Sequence, residues 1–368
     1  MTRTRFVTST LALVMIAGCA ARVGRAGETA ATRDREVRVE MTTRGLSYLA
    51  SIQRPDGGLG DTRQKGVTSL FILACLAAGH GPDDPVFGEP LRRAADWILA
   101  NSPQSFLGGS EEPNEDHALA ATALCELAGT DTDAARNLAV YRKAKAALEV
   151  SLQLQDKQPN PATGGGWRPD DRTRTNDRLL TAWFLLHLHG ARLRDEPIPK
   201  GSFDRGCGFV THSQNTSGKG DGRGGFSVDA AGLPVRSVTA AGAWVLMVQG
   251  DPAAAERLAL ARQWLAAHPP RWQGPHFYET NFFAVRALAG SRPLPDDGIY
   301  AASFTRLVRL LRERQEADGG FPFPPGHAQA RLAMGRGYST ALAILAINVD
   351  RGQWPLDAVA AQTAAFTR

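Results

Sequence analysis

Cysteine is scarce in this 368-residue sequence, which contains four. Cys19 belongs to an N-terminal segment with its own signature, so Cys75, Cys125 and Cys207 remain, and an odd number excludes a complete disulfide framework. Cys75 and Cys125 each lie shortly before a glycine that is predicted to end a helix. A disulfide between them is one interpretation, and two small buried core residues are the favoured one.

Long blocks of lysine and arginine are also missing. The net charge is +5, with hydrophobic residues at 43% and charged residues at 21%, which is typical of an ordinary soluble globular protein. Because no basic block or stripe is present, no nucleic-acid partner is predicted. The excess of arginine is compatible with a basic rim that attracts anions and equally with a solvated surface.

The N-terminal segment lacks the length of a membrane-spanning helix. Arg3 and Arg5 precede an apolar stretch over residues 6–17, which is too short to cross a bilayer and is typical of a signal peptide. The stretch ends in Ile-Ala-Gly-Cys at residues 16–19, which resembles a bacterial lipobox. An ordinary signal peptide with a chance cysteine is the alternative.

The lipobox resemblance implies cleavage before Cys19 and acylation of that cysteine. We therefore predict a lipoprotein signal peptide over residues 1–18 and a polar, flexible tether over residues 19–38. The implied partner is a bacterial membrane, which holds the protein on its extracytoplasmic side through the lipid on Cys19. Ala20 stands where an aspartate would indicate inner-membrane retention, and this favours the periplasmic face of the outer membrane.

One pattern recurs along the rest of the chain: an amphipathic helix that ends near a glutamine, a glycine-rich loop, and an almost entirely apolar helix that ends at a glycine. In the first copy, residues 40–53 carry apolar side chains on one face only. Residues 54–58 (Arg-Pro-Asp-Gly-Gly) have the composition of a turn. Residues 70–76 are apolar on every face and Gly79 ends their helix, which predicts an outer helix paired with a buried inner one.

The pattern occurs six times, and no helix pair of this kind can bury its apolar helix without neighbours. Six buried helices that alternate with six one-sided helices predict an all-α fold, an (α/α)6 toroid over residues 39–350, followed by a C-terminal tail over residues 351–368. A superhelical solenoid is the rival architecture, and the lack of a polar last repeat favours closure. In copies two to six, the outer helices are predicted over 91–104, 141–155, 203–214, 254–268 and 302–315, and the inner helices over 117–129, 176–190, 237–250, 278–290 and 338–348.

The junctions between the helices carry a resemblance to a known family. Gln53-x-x-Asp56-Gly57-Gly58, Gln214 with Gly224-Gly225-Phe226, and Gln315-x-x-Asp318-Gly319-Gly320-Phe321 resemble the QW-like repeats of the prenyltransferase and squalene-oxidase repeat superfamily. The resemblance covers residues 40–350 and is greatest to uncharacterised secreted bacterial members. It implies the α/α toroid, whereas an isoprenoid activity is implied only where the catalytic motifs accompany the fold.

The catalytic motifs of that superfamily are missing. Squalene–hopene cyclases protonate an alkene with the aspartate of a DxDD motif, but residues 131–134 (Asp-Thr-Asp-Ala) lack the last acid. Asp170-Asp171 and Asp296-Asp297 are typical of turns. Protein prenyltransferase subunits hold zinc with an Asp-x-Cys pair, whereas residues 204–207 place two residues between the aspartate and the cysteine. No metal and no cofactor are therefore predicted.

In a closed toroid all inner helices begin at one mouth, where their free N–H groups favour anions. Most polar residues there are expected to be helix caps, but together they form a bowl that fits an anionic or an apolar small ligand. His117 beside Asp116 is a candidate general base, with an ordinary solvated histidine as the favoured alternative. The candidate catalytic residues are Asp116, His117, Asp177, Tyr278 and Glu279, and the candidate ligand-binding residues are Arg236, Asn281, Arg336 and Tyr338.

Three functions from different classes remain. The favoured one is a ligand- or partner-binding protein at the membrane, because the motifs of squalene cyclases and protein prenyltransferases are missing. The first alternative is an enzyme on an extracellular substrate, such as a polysaccharide lyase or hydrolase, because the mouth offers acids, bases and arginines. The second alternative is an isoprenoid cyclase- or transferase-like activity, which requires a continuous apolar cavity of ligand size.

Overall fold

The computed structural model of the protein describes residues 33–109, 111–217, 222–229, 232–250, 252–290, 298–326 and 334–349. Within these ranges the chain forms twelve α-helices and three isolated β-bridges. The helices are α1 (33–51), α2 (Gln64–Ala77), α3 (Gly88–Ala100), α4 (Pro113–Leu127), α5 (Ala134–Leu154), α6 (Arg178–Leu193), α7 (Lys200–Thr211), α8 (Arg236–Gln249), α9 (Pro252–Ala267), α10 (Phe277–Ala289), α11 (Ile299–Arg312) and α12 (Gly335–Ile347).

Odd-numbered helices form an outer layer and even-numbered helices an inner one. Every residue of α2 from Gly66 to Ala77 is buried, as its uniformly apolar sequence requires. In α3, Leu91, Ala94 and Ile98 are buried, and the opposite face is exposed. The predicted alternation of buried and one-sided helices is confirmed.

The inner helices close into a ring. Each one contacts the next, from α2 through α4, α6, α8 and α10 to α12, and α12 contacts α2. A solenoid would leave its first and last repeats apart. The predicted (α/α)6 toroid is therefore confirmed.

Helix α5 begins seven residues before its predicted start, since it starts at residue 134 rather than at residue 141. Asp133 is its N-cap, and its carboxylate accepts the N–H groups of Ala135 and Arg136. The Asp-Thr-Asp-Ala segment at residues 131–134 lacks the last acid of a cyclase motif. It is instead the start of a helix. Asp170 has a similar local role, because it accepts the N–H groups of two residues in its own turn.

The glutamine of the repeat joins neighbouring helix pairs. Gln315 Nε2 donates to the carbonyl of Gly319 in its own loop and to the carbonyl of Met41 in α1, both at 2.9 Å. This bond pair links the last repeat to the first. The same arrangement is formed by Gln53, Gln155 and Gln214, which donate to Gly57, Gly165 and Gly224 in their loops and to Pro90, Ser202 and Arg257 in the next outer helix.

Two of these loops require glycine for reasons of conformation and space. Gly57 has a φ of +99° and Gly319 a φ of +93°, a region that L side chains rarely adopt. A Cβ at either position would lie 2.3 Å from a carbonyl oxygen of the next outer helix, that of Arg93 or of Arg44. The glycines therefore let the loop pack directly on the neighbouring backbone.

A polar side chain in the first turns of each of five inner helices accepts a hydrogen bond from a backbone N–H of the loop before that helix. Thr340 Oγ1 accepts the Phe321 N–H at 2.9 Å. In the second repeat a histidine takes this place, and His117 Nδ1 accepts the Leu107 N–H at 3.0 Å. The same bond is made by Thr68, Thr181 and Thr239 to the N–H groups of Leu59, Trp167 and Phe226.

Several predictions for the chain ends fall outside the described residues: the signal peptide over 1–18, Cys19, most of the tether and the tail over 351–368. Residues 33–38 of the predicted tether are helical, as the first residues of α1. In the described part of the chain no helix combines the length and the apolar character needed to cross a membrane. The cysteines at 75, 125 and 207 are buried and unpaired.

Candidate functional site

Side chains from the beginnings of four inner helices meet at one end of the ring. Arg63 immediately precedes α2, Glu115 lies in the first turn of α4, Glu279 in the first turn of α10, and Tyr338 in the first turn of α12. α4 and α10 lie opposite each other in the ring, so this group extends across the mouth. We call the following residues the mouth cluster: Arg63, Glu112, Glu115, Asp116, His276, Glu279 and Tyr338.

Arg63 is the centre of the mouth cluster, and its side chain is only 2% exposed. Its Nε and Nη2 donate to Asp116 Oδ1 at 2.9 and 2.5 Å. Its Nη1 contacts Glu112 Oε2 at 2.5 Å and Glu115 Oε2 at 3.3 Å. Burial acts to lower the pKa of Arg63, but the three carboxylates outweigh burial and raise this pKa above its ordinary value. Arg63 is therefore a permanent cation that orients all three acids.

Tyr338 connects the two sides of the mouth. Its hydroxyl lies 2.9 Å from Glu279 Oε1 and 3.4 Å from Glu115 Oε1. Glu279 is fully buried, and its Oε1 lies 3.5 Å from Nδ1 of His276. A series of polar contacts thus runs from Glu115 through Tyr338 and Glu279 to His276, whose Nδ1 makes no hydrogen bond to the described residues.

Two residues of the cluster have strained backbones. Arg63 has a φ of +48° and His276 a φ of +59°, and each precedes the first residue of an inner helix. Among the described non-glycine residues, Asp195 alone shares this conformation. Non-glycine residues in the left-handed region cost of order 1 kcal/mol or more and are concentrated at functional sites. In this protein the strain directs both side chains into the mouth.

Asp116 is completely buried beneath Arg63. Burial raises the pKa of Asp116 to about 6 even though Arg63 opposes the shift, and the neighbouring Glu115 raises it further. Its Oδ2 has no hydrogen-bond partner among the described residues. A Cβ at Gly66 or at Gly109 would lie 2.5 Å from one of its oxygens, so these two glycines make room for the carboxyl group.

A cavity of about 370 Å³ opens beside the cluster. Glu112, Glu115, Asp177 and His276 line it, together with the ring of Trp183. Its size is within the range of small-molecule sites. We call it the acidic cavity. Below it the bore of the ring is filled by aromatic side chains, since Trp183 stacks on Phe282 at 5.1 Å and contacts Phe283 at 4.8 Å.

His117 faces away from the mouth, although it follows Asp116 in sequence. It is fully buried, its Nδ1 accepts the Leu107 N–H, and its Nε2 lies 3.0 Å from Ser151 Oγ. Burial lowers the pKa of His117 to about 3, and the nearby His187 lowers it further. Both ring nitrogens are occupied within the core, so His117 is neither a solvated histidine nor a base that faces the acidic cavity.

Two other candidates have mainly local roles. Tyr278 is 1% exposed, and its hydroxyl donates to the carbonyl of Pro322 in the loop of the last repeat. Burial raises the pKa of Tyr278 well above its ordinary value, and Glu279 adds to this effect. Asp177 is the N-cap of α6 and accepts the Leu180 N–H at 2.7 Å, but its exposed carboxylate also lines the acidic cavity.

The two candidate arginines differ in their partners. Arg336 forms ion pairs with Glu316 and Asp318, acids of the loop before its helix. Arg236 instead donates to the carbonyl of His268 and to Asn281 Oδ1, both at 2.9 Å. Arg236 lines a second cavity next to the first, whereas Arg336 lines neither. The structure thus separates residues that the sequence grouped together.

Arg63, Glu112 and His276 are the mouth residues that the sequence did not indicate. None of them lies within an inner helix, and each is in or next to the loop that precedes one. The predicted Asp116, Glu279 and Tyr338 do belong to the cluster. No three His, Cys, Asp or Glu side chains in the described ranges are arranged to hold a metal ion.

A comparison with protein families finds no match for this sequence, and neither does a comparison with curated proteins. Solved structures do resemble the fold. An α-1,6-mannanase of glycoside hydrolase family 76 from Salegentibacter sp. is 10% identical, with a TM-score of 0.61 over 85% of this chain and 100% of its own. A family 76 mannosidase from Bacteroides thetaiotaomicron is 9% identical, with a TM-score of 0.56 over 85% and 99%.

A type II terpene cyclase from Scytonema is 13% identical, with a TM-score of 0.55 over 88% of this chain and 99% of its own. At these identities the likeness shows the fold alone, and it agrees with the α/α toroid predicted from the repeats. A variant of the Salegentibacter mannanase with two adjacent aspartates replaced by asparagine is inactive, and its structure contains α-1,6-mannotriose.

Proposed function

We propose that the protein is a glycoside hydrolase of the extracytoplasmic space, with Glu115 and His276 as its acid–base pair. One observation carries the proposal: these two side chains line the same cavity from opposite sides of the ring, Glu115 from the first turn of α4 and His276 from the residue before α10, and Tyr338 and Glu279 lie between them. A positioned base and a positioned acid at a ligand-sized cavity are the elements of acid–base hydrolysis.

Glu115 is suited to act as the ionised carboxylate. Arg63 donates to one of its oxygens and the Tyr338 hydroxyl faces the other. Donors favour the charged form of a carboxylate. We assign Glu115 the attack on the anomeric carbon, either directly or through a water molecule that it deprotonates.

His276 is suited to act as the proton donor. Its Nδ1 lies 3.5 Å from the buried carboxylate of Glu279, a partner that can orient an imidazole. This arrangement leaves Nε2 to protonate the glycosidic oxygen as the bond breaks. The net reaction adds one water molecule across the bond, with the hydroxyl on the anomeric carbon and the hydrogen on the leaving oxygen.

The lining of the acidic cavity favours a sugar over an isoprenoid. Its carboxylates and imidazole can bind hydroxyl groups, and the exposed side chain of Val228 offers an apolar surface. A polyprenyl chain would need a continuous apolar space, but the aromatic rings of Trp183, Phe282 and Phe283 occupy the bore. The family 76 likeness makes α-1,6-mannooligosaccharides a reasonable first substrate panel, since the inactive variant of the Salegentibacter mannanase binds α-1,6-mannotriose.

The experiment is an incubation with a panel of neutral and anionic oligosaccharides, including α-1,6-mannotetraose, in water enriched in oxygen-18. Hydrolysis is expected to place the label on the new reducing end, as detected by mass spectrometry. Glu115→Gln and His276→Gln are expected to lower the rate by about 10²- to 10⁴-fold, the usual contribution of a general acid or base. Glu316→Gln and His212→Gln change an acid and an exposed histidine outside the acidic cavity and should leave the rate unchanged.

Two results would contradict the proposal. Tight binding of an oligosaccharide with no labelled product would indicate a binding protein instead. Cleavage that persists at the wild-type rate in Glu115→Gln would place the chemistry outside the acidic cavity.

A further inference from the structure

A second cavity, also of about 370 Å³, adjoins the acidic one. The two share Val235, Ser237 and Pro275 in their walls. The second cavity is lined by Arg236, Arg271, His268 and Gln273, and its described lining includes no aspartate and no glutamate. We call it the arginine cavity, because both of its permanently charged lining residues are arginines, whereas the acidic cavity is lined by three acids and one arginine, Arg178.

Arg236 is a cation without a carboxylate partner among the described residues. Both of its hydrogen bonds go to neutral oxygens, those of the His268 carbonyl and the Asn281 amide. Burial lowers the pKa of Arg236 to about 10, and the nearby Arg306 adds to this effect, so Arg236 stays charged at neutral pH. A buried charge is normally paired. Arg336, at the start of another inner helix, is neutralised by two acids.

The arginine cavity also offers a surface for a ring. Trp264 and His268 stack at 3.8 Å with an interplanar angle of 14°, and both line the cavity. His268 Nδ1 is held by the Trp264 carbonyl at 2.8 Å. A flat aromatic wall beside a guanidinium fits a sugar that carries a charged substituent, since arginine binds oxyanions through paired N–H donors.

We infer that the arginine cavity binds an oxyanion substituent of a glycan, a carboxylate, sulfate or phosphate group, on the sugar next to the one whose bond is cleaved in the acidic cavity. The substrate class is then an anionic rather than a neutral glycan. The assignment of this glycan as a substrate rests on the proposed hydrolase function, whereas the anion site itself does not.

The test is calorimetric titration of the full chain carrying Glu115→Gln, which prevents turnover. The probes are methyl glucuronide, glucose 6-sulfate and glucose 6-phosphate, with methyl glucoside as the neutral reference. At least one anionic sugar is expected to bind about 10- to 100-fold more tightly than methyl glucoside, as charge-assisted hydrogen bonds allow. The best of the three identifies the oxyanion.

Variants locate the site. Arg236→Gln should remove the preference for the anionic sugar, and Arg336→Gln should keep it. Asn281→Asp is a second variant, because it places a carboxylate on the Arg236 guanidinium and should remove the preference without removing the arginine. Thermal melting confirms that each variant is folded.

The outcomes separate the two proposals. Equal affinity for charged and neutral sugars, or a preference that survives in both Arg236→Gln and Asn281→Asp, overturns the anion site. Hydrolysis of neutral oligosaccharides without any anion preference overturns the anion site and leaves the hydrolase intact. An anion preference that depends on Arg236, in a wild-type protein that cleaves no glycan, supports the anion site and overturns the hydrolase.

Discussion

At the scale of single residues, Arg63 has the largest structural role in the mouth. Its guanidinium donates to Oδ1 of Asp116, which is fully buried, and to Glu115, whose side chain is 10% exposed. Removing one partner of a buried ion pair leaves an uncompensated charge. The same contacts orient Glu115 toward the acidic cavity. Arg63 therefore contributes both to stability and to the geometry of the proposed chemistry.

Arg63→Gln is therefore expected to lower the free energy of unfolding by about 3–5 kcal/mol. The double variant Arg63→Gln with Asp116→Asn should be less destabilised than Arg63→Gln alone, because the buried carboxyl can no longer ionise. Urea unfolding followed by circular dichroism measures both. If the free energy of unfolding lost by the double variant equals the sum of the losses of Arg63→Gln and Asp116→Asn, the two residues do not interact.

The buried histidines form a second polar group with a defined proton order. The Leu107 N–H donates to His117 Nδ1, so His117 Nε2 carries a proton and donates to Ser151 Oγ at 3.0 Å. The Ser151 hydroxyl is then free to donate to His187 Nδ1 at 3.2 Å. Both histidines are thus neutral in the folded protein, and protonation of His187 at Nδ1 would break the chain.

Burial lowers the pKa of His187 from 6.5 to about 4 in the folded protein. Between these two pH values the unfolded chain binds a proton that the folded chain does not, so stability is present above pH 6.5 and is lost as the pH falls. The loss is about 1.4 kcal/mol per pH unit for one histidine. Urea titrations of wild type and His187→Gln across this window should show a shallower dependence for the variant, and parallel dependences would contradict the assignment.

At the scale of elements, the repeat glutamines hold the ring together. Gln315 is the clearest case, since it joins the loop of the last repeat to α1 and thereby links the two ends of the described fold. Its two acceptors are backbone carbonyls, which need partners when they are buried. Stability of the closure therefore depends on a side-chain amide rather than on apolar contact alone.

Gln315→Ala is expected to lower the free energy of unfolding by about 1–3 kcal/mol, the net contribution of its two hydrogen bonds. Gln153→Ala is the matched control, because Gln153 lies exposed on an outer helix and should change stability by no more than about 0.5 kcal/mol. Equal unfolding midpoints in urea for the two variants would mean that the glutamine bonds do not stabilise the closure.

The order and type of the elements could be predicted because local sequence patterns indicate them within each repeat. Apolar residues on every face identify inner helices such as α2, and glycines mark where the loops turn. The start of α5 was predicted seven residues too late, because residues 131–134 were interpreted as an incomplete catalytic motif and not as a helix cap at Asp133. The role of His117 had a signal in the sequence, since threonine occurs within the first six residues of each of the other five inner helices.

The mouth cluster could be predicted only in part. Glu279 and Tyr338 lie in the first turns of helices, so closure of the ring was sufficient to bring them together. Arg63 and His276 precede helices, and the direction of their side chains depends on left-handed backbone conformations that are uncommon outside glycine. Contacts such as that between Tyr338 and Glu115, 223 positions apart, depend on the closed ring rather than on any local pattern.

At the scale of the whole molecule, the chain combines a toroid that has a cavity at its mouth with a predicted N-terminal membrane anchor. We propose that Cys19 carries lipid and holds the ring at the extracytoplasmic face of a bacterial membrane. The proposal rests on the resemblance of residues 16–19 to a lipobox and on the short apolar stretch before them. It places the acidic cavity where extracellular glycans are available.

Cys19→Ser is expected to move the protein from the membrane fraction to the soluble fraction, because the acyl chains are lost. Fractionation of expressing cells with immunoblotting measures the change, and mass spectrometry of the wild-type N-terminus detects the lipid. Cys207→Ser, at a buried position in α7, is the control and should leave the distribution unchanged. A wild-type protein with a free Cys19 thiol would contradict the anchor.

The central claim is that the acidic cavity cleaves glycosidic bonds with Glu115, and the most direct measurement separates binding from turnover at that residue. The best oligosaccharide from the substrate panel is titrated into wild type, Glu115→Gln and Glu316→Gln at low temperature, and initial cleavage rates are measured on the same samples. Glu115→Gln is expected to keep its affinity within about tenfold while its kcat falls by about 10²-fold or more. A variant that binds and cleaves like Glu316→Gln would contradict the central claim.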